Sequence, residues 1–117
     1  MLYKDVLQHL LEKVDGALGA GFVASDGETV QLEGQLEDFA HRLHLAYQGI
    51  LLQALSNIHA NQTTNLQVVL SIHQNYSVAV KPLSDGYFLV LTLKRGKNLH
   101  HAVRFLEQAA EELNREL

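Results

Sequence analysis

The sequence predicts an α+β domain built on a five-stranded antiparallel sheet. Segments with the apolar spacing of helices alternate with short segments in which apolar and polar residues alternate. Two Ser-Asp-Gly triplets separate neighbouring strand-like segments, as tight hairpin turns do. The chain has 117 residues, 47% of them apolar, which is enough for one core. We therefore expect a single domain over 1–117 with the order α-β-β-α-β-β-β-α.

The first third of the chain predicts a helix followed by a hairpin. Apolar residues three and four positions apart predict a helix over 2–14, and Gly16 follows it, as glycine commonly does just past a helix. Residues 17–24 are small or apolar on both faces, whereas 28–33 alternate between apolar and polar. The triplet between these strands favours a tight turn because glycine readily adopts positive φ.

The rest of the chain predicts a long helix, three strands and a final helix. Helical spacing runs from 36 to 59 and returns over 99–117, after Asn98, a residue type that caps helices. The three strands between these helices are predicted over 66–73, 76–83 and 87–94.

The faces of the strands also predict their order in the sheet. The strands over 17–24 and 87–94 are apolar on both faces, which is typical of strands covered on both sides. Placing these two in the middle and joining the hairpins gives the order 2-1-5-4-3, with helices on both faces of the sheet. Strands 2 and 3 are then the edges.

The predicted edge at strand 3 lacks the features that protect an exposed strand. The segment from Leu66 to Ile72 is apolar and β-prone and contains no proline, lysine or glutamate, although monomers usually blunt such an edge. We expect a symmetric dimer in which strand 3 pairs with its copy. Its interface residues would be Leu66, Val68, Leu70 and Ile72. A loop of the same chain that covers the edge is the alternative.

The predicted long helix carries apolar residues on more than one side. Its main stripe, which includes Phe39 and Leu43, would pack on its own sheet. Further apolar or small residues lie away from that stripe, and a helix of this kind is usually buried on more than one side. We expect them to contact the second subunit: Leu45, Gly49, Leu52 and Leu55.

No residue pattern indicates catalysis or a bound cofactor. The chain has no cysteine, which excludes thiolate metal sites and cysteine nucleophiles. The glycines over 16–21 follow a helix and precede a strand, the reverse of a phosphate-binding loop. His41 and His44 have metal-ligand spacing on the long helix, but no third ligand joins them. We expect a binding module with no catalytic residue, cofactor or metal.

Charge and hydropathy indicate a soluble cytoplasmic protein with one basic cluster. The net charge of −4 argues mildly against nucleic acid as the main partner. The sequence shows neither a membrane-spanning apolar run nor a signal-peptide pattern. Lys94, Arg95 and Lys97 form a candidate docking site for an acidic partner. The alternative for this cluster is a solvated turn that complements the acidic first half of the chain.

Several short motifs resemble the roadblock (dynein light chain) superfamily. They are Gly16-Ala17-Leu18-Gly19-Ala20 running into Ser25-Asp26-Gly27, then Leu83-Ser84-Asp85-Gly86-Tyr87-Phe88-Leu89-Val90, and Asn98-Leu99. The likeness covers nearly the whole chain and is greatest to the stand-alone bacterial members, which include gliding-motility regulators. It implies a homodimer, or a heterodimer with a paralogue, that acts as a non-catalytic adaptor. Such an adaptor binds a small Ras-like GTPase and, in some members, stimulates GTP hydrolysis.

Two other functions remain open at the level of the sequence. A small-ligand sensor needs a pocket between helix and sheet, whereas Phe39, Leu43 and Tyr47 indicate a filled core. A structural scaffold would differ from a GTPase regulator only in binding its partner regardless of nucleotide state. Among the four arginines, nothing singles out one that acts on a nucleotide.

Overall fold

Two helices and five strands make up the described part of the chain. The computed structural model describes residues 2–24, 29–34, 68–72, 76–94 and 98–116. The elements are an N-terminal helix (Leu2–Lys13), β1 (Ala17–Val23), β2 (Thr29–Gly34), β3 (Val69–Ile72), β4 (Tyr76–Pro82), β5 (Phe88–Lys94) and a C-terminal helix (Leu99–Asn114). The predicted α+β class is confirmed, whereas the predicted long helix over 36–59 lies outside the described residues.

The five strands form one antiparallel sheet with the order β2-β1-β5-β4-β3. This is the order predicted from the faces of the strands. β3 pairs with β4 from Val69 opposite Val80 to Ile72 opposite Ser77. Among the described strands, β2 and β3 therefore form the two edges of the sheet.

Both described helices pack on the same face of the sheet, where the main core lies. Leu7 and Leu10 from the N-terminal helix and Leu106 and Leu113 from the C-terminal helix are almost fully buried there. They meet apolar side chains of the inner strands, which are Ala20, Phe22, Ala79, Leu89, Leu91 and Leu93. Burying each large aliphatic or aromatic side chain stabilises the fold by about 1.5–3 kcal/mol.

The opposite face of the sheet is buried as well. A second apolar cluster on this face has no member more than 3% exposed, and its members are Val23, Val78, Val80, Phe88 and Val90. β1 and β5 thus have apolar side chains on both faces, as their sequences predict. The buried residues of both described helices belong to the main core. The prediction of a helix on this second face falls on residues outside the described part.

The ends of several elements differ from the sequence-based prediction. The sequence predicted the second strand over 28–33, but β2 continues to Gly34, which has φ of 107°. A Cβ at this position would lie 2.7 Å from the Leu18 carbonyl oxygen and 2.8 Å from Gly19 Cα. Only glycine therefore allows β2 to continue this close to β1.

The turn between β4 and β5 is wider than a two-residue hairpin. Residues Ser84–Gly86 form one turn of 3-10 helix, in which Asp85 has φ of 61°. The Leu83 N–H donates to the Tyr87 carbonyl oxygen at 2.7 Å and closes the turn. The Ser84 N–H donates to Oδ1 of Asn114 at 2.8 Å, which ties the turn to the end of the C-terminal helix. The helix ends here, short of the predicted end at 117.

Candidate interaction surface at the β3 edge

β3 presents apolar side chains at an edge of the sheet. Leu70 is 47% exposed, which is unusual for a leucine in a strand, and Val68 just before the strand is half-buried. Because side chains alternate along an extended chain, Val68 and Leu70 lie on the same face. Val68 packs against the main core, so this is the face that carries both described helices.

A shallow groove separates β3 from the C-terminal helix. We call it the β3 groove, and its lining residues are Val68, Leu70, Leu99, His100 and Val103. Its volume is about 350 Å³, which is comparable to a small binding pocket. Four of the five lining residues are aliphatic, so the groove suits apolar side chains of another polypeptide.

The start of the C-terminal helix is fixed by a side-chain cap, and this positions the helical wall of the β3 groove. Oδ1 of Asn98 accepts a hydrogen bond from the His101 N–H at 3.1 Å. An asparagine cap of this kind stabilises a helix end by about 1 kcal/mol. Leu99 and Val103 then lie one turn apart on the side of the helix that faces β3.

The opposite edge of the sheet is more polar. On β2, Val30 is 46% exposed, but Glu33, three positions further along the strand, takes part in a hydrogen-bond network. Its carboxylate accepts from Gln8 Nε2 of the N-terminal helix at 3.0 Å and from Gln31 Nε2 at 2.9 Å. A charged group held in place at the edge discourages pairing with another strand.

The structure brings part of the predicted dimer interface together. Val68 and Leu70 both line the β3 groove, and Ile72 is the last residue of β3. The remaining predicted interface residues lie outside the described residues; they are Leu45, Gly49, Leu52, Leu55 and Leu66. The dimer interface therefore stays a prediction.

The structure describes only one residue of the predicted basic docking site. Lys94 is exposed at the end of β5, and Arg95 and Lys97 lie outside the described residues. Lys94 follows the buried Leu93, which faces the helices. Because strand side chains alternate, Lys94 lies on the other face of the sheet, away from the β3 groove.

Sequence reasoning missed the helical wall of the β3 groove. Nothing in the sequence singled out Leu99 or Val103 as surface residues, yet both remain partly exposed and line the groove. The available signal was their i, i+4 spacing next to His100, which marks a border between apolar and polar sides of the helix.

The described residues offer little room for chemistry elsewhere. No three His, Asp or Glu side chains gather there in a way that would hold a metal ion. The cleft between the two described helices, beside Phe105, encloses about 10 Å³, which is space for one water molecule. Neither described helix is long and apolar enough to span a membrane.

Comparison with solved structures identifies the architecture. MglC from Myxococcus xanthus matches with 22% sequence identity and a TM-score of 0.74 over 100% of both chains. MglB from the same organism reaches a TM-score of 0.86 at 14% identity, over 97% of this chain and 93% of that one. A Roadblock/LC7 domain from Streptomyces avermitilis gives 0.80 at 14% identity, over 95% and 93%. The chain has the roadblock fold.

The roadblock fold confirms the resemblance drawn from the short motifs. No protein-family model matches the sequence, and no curated protein matches it by sequence. The likeness therefore rests on the shared backbone architecture. At these levels of identity the roadblock fold establishes architecture and leaves partners and activity to be tested.

Proposed function

We propose that this protein is a non-catalytic dimeric adaptor that binds and regulates a small Ras-like GTPase. The observation that carries the proposal is the exposed apolar edge at β3, with Leu70 beside the β3 groove, in a chain that has the fold of MglB and MglC. The residues of this surface are aliphatic, which suits association with another protein rather than a chemical reaction.

The edge at β3 supports a symmetric dimer. β3 is paired on one side only among the described strands, so its outer backbone groups can pair with a second copy. The sequence from Leu43 to Val80 contains no Asp, Glu, Lys or Arg. Two copies of this segment therefore meet without repulsion between like charges, which favours self-association.

The long-helix residues predicted at the interface belong to the same proposal. Leu45, Gly49, Leu52 and Leu55 lie within that uncharged segment. A dimer that buries them together with β3 would bury more apolar surface than the short edge strand buries alone. Large apolar interfaces of this kind are typical of permanent dimers.

The GTPase would bind away from the β3 edge in this proposal. Lys94, Arg95 and Lys97 supply positive charge at the end of β5, and charge complementarity mainly raises the association rate of a partner with an acidic surface. The exposed Lys94 lies at the end of β5, two strands away from the β3 edge, so a GTPase bound there leaves the β3 pairing intact.

Affinity capture under two nucleotide conditions tests this function. The purified protein is immobilised and incubated with native cell extract in the presence of a non-hydrolysable GTP analogue or of GDP, and bound proteins are identified by mass spectrometry. We expect a small GTPase enriched in one nucleotide state and reduced for the variant Lys94→Glu/Lys97→Glu. The variant Lys4→Glu/Lys13→Glu, which makes the same change of net charge at two exposed residues of the N-terminal helix, serves as the control for altered net charge.

Each other result of the capture experiment points to a different function. A GTPase captured equally in both nucleotide states indicates a nucleotide-independent scaffold. The absence of any GTPase contradicts the proposed partner class, and thermal melting in the presence of small-molecule libraries then tests the sensor alternative, because a ligand that binds the folded state raises the melting temperature.

A further inference from the structure

Among the described strands, only β3 has no described helix packed closely on the helix-bearing face. The N-terminal helix packs mainly on β1 and β2, and the C-terminal helix packs mainly on β4 and β5. The β3 groove lies in the gap that this arrangement leaves. Pairing of β3 with a second copy would use backbone groups in the plane of the sheet, whereas the groove opens on one face. The groove is therefore available to a different molecule in the proposed dimer.

The length of the β3 groove matches one turn of an α-helix. Val68 and Leu70 are two residues apart on an extended chain, which separates them by about 6.6 Å. On the other wall, Leu99 and Val103 are four residues apart in a helix, which separates them by about 6 Å along its axis. The pitch of an α-helix is about 5.4 Å, so two side chains on successive turns of a helix fit into the groove.

The two walls of the groove offer no backbone groups to an incoming segment. The hydrogen bonds of a helix run along its axis and those of a sheet run within its plane, so neither kind points into the space between them. An extended segment would leave its own N–H and C=O groups without protein partners there, which costs free energy. An α-helix makes these bonds internally and can therefore present only its apolar side chains to the groove.

The open rim of the groove is basic on its helical side. His100 lines the groove, and Arg104 follows it by four residues on the same side of the helix; both side chains are exposed. The first acidic residue of the C-terminal helix is Glu107, which lies about one turn beyond Val103. β3 itself contains no charged residue. A segment bound in the groove is thus best matched by an acidic side chain next to its apolar ones.

We propose that the β3 groove binds an amphipathic α-helix of a partner protein, with two apolar side chains in the groove and an acidic side chain beside Arg104. Recognition of a helix through residues three or four positions apart is a common mode of peptide binding. The short contact predicts weak and reversible binding, because two apolar anchors bury little surface. This partner is separate from the GTPase of the proposed function, whose docking site lies at the end of β5.

Binding of designed helical peptides to the full chain tests the proposed occupant. The probe is a fluorescent alanine-rich peptide of about 16 residues, with two leucines four positions apart and glutamates flanking them. We expect it to bind the wild-type protein in fluorescence anisotropy titrations. Replacing both leucines by alanine should weaken binding by at least about tenfold, and a central proline, which breaks the helix, should do the same. Replacing the glutamates by lysines should weaken binding by about threefold at low salt.

Variants of the protein test the groove itself. Val103→Glu places a carboxylate on the aliphatic wall and should weaken binding of the leucine–glutamate peptide by at least about tenfold. Gln108→Glu is the matched control, because this exposed residue of the same helix adds the same charge beside the cleft with the N-terminal helix. It should leave the affinity within about twofold of wild type. Arg104→Glu should reverse the preference, so that the lysine-flanked peptide binds more tightly than the glutamate-flanked one.

The competing occupants of the β3 groove give different results. A leucine peptide that binds no more tightly than the alanine peptide, or that binds Val103→Glu as well as Gln108→Glu, would overturn the inference. Equal binding of the proline peptide would also overturn it, in favour of an extended segment. A Val103→Glu protein that is folded by circular dichroism but sediments as a monomer would assign the groove to a second copy instead. If Val103→Glu fails to fold, Arg104→Glu decides, and an unchanged peptide preference then contradicts the pairing with an acidic helix.

Discussion

The two edges of the sheet expose almost the same amount of aliphatic surface and differ in what surrounds it. Val30 on β2 is 46% exposed and Leu70 on β3 is 47% exposed. On β2, the carboxylate of Glu33 is held by two glutamine side chains, whereas Leu70 on β3 borders a groove that is mostly aliphatic. The other residues of an edge, rather than the exposure of one apolar side chain, distinguish a protected edge from one suited to association.

The largest effect on folding is expected at the end of the protected edge. Gly34→Ala places a Cβ 2.7 Å from the Leu18 carbonyl oxygen and forces a side chain into a backbone with φ of 107°. We expect the free energy of unfolding to fall by about 3 kcal/mol or more, measured by urea denaturation. Gly86→Ala is the comparison: its φ is 80°, and we expect a loss of about 1–2 kcal/mol from backbone strain. Equal losses would refute the close approach of β2 to β1.

A smaller loss of stability is expected at the C-terminal helix, whose first residues line the β3 groove. Asn98→Ala removes the cap that accepts from the His101 N–H, and Asn114→Ala removes the bond from the Ser84 N–H at the other end of the helix. Each loses about 1 kcal/mol of stability in thermal or urea unfolding. We expect only Asn98→Ala to weaken the dimer as well, because Asn98 adjoins the groove-lining Leu99. A dimer weakened equally by both variants would argue against a local role of this wall.

The smallest effect on stability is expected when the acidic side chain of β2 is removed. Glu33→Val removes one exposed and one part-buried hydrogen bond and should change the free energy of unfolding by about 0.5 kcal/mol. It should nevertheless promote assembly beyond the dimer, visible in light scattering over a concentration series, because this edge strand would then lose its acidic side chain. Glu12→Val, an exposed substitution on the N-terminal helix, controls for the lost charge. No difference between the two variants would show that Glu33 does not protect the edge.

The order of the strands in the sheet could be predicted from the sequence because the strands differ in how apolar their two faces are. β1 and β5 are small or apolar on both faces and lie in the middle, whereas β2 alternates and lies at the edge. Apolar periodicity also predicted both described helices to within three residues at each end. These features depend on local patterns, which a single sequence displays directly.

Features that depend on contacts between distant residues were harder to predict. Gly34 lies at the end of β2, close to the Leu18 backbone, and nothing in the sequence singled out Val103 as a groove residue. The β3 groove forms only when Leu70 and Val103, which are 33 positions apart in the chain, approach each other in the fold. The edge at β3 was predicted because the absence of protecting residues is itself a local pattern.

The central claim is that β3, and not β2, is the edge through which the protein dimerises. Sedimentation velocity of wild type, Leu70→Lys and Val30→Lys at matched concentrations tests it most directly, with circular dichroism to verify that both variants are folded. We predict a dimer for wild type and Val30→Lys and a folded monomer for Leu70→Lys, because a lysine on β3 would place a charge in an otherwise uncharged interface. A folded Leu70→Lys protein that sediments as a dimer would contradict the claim.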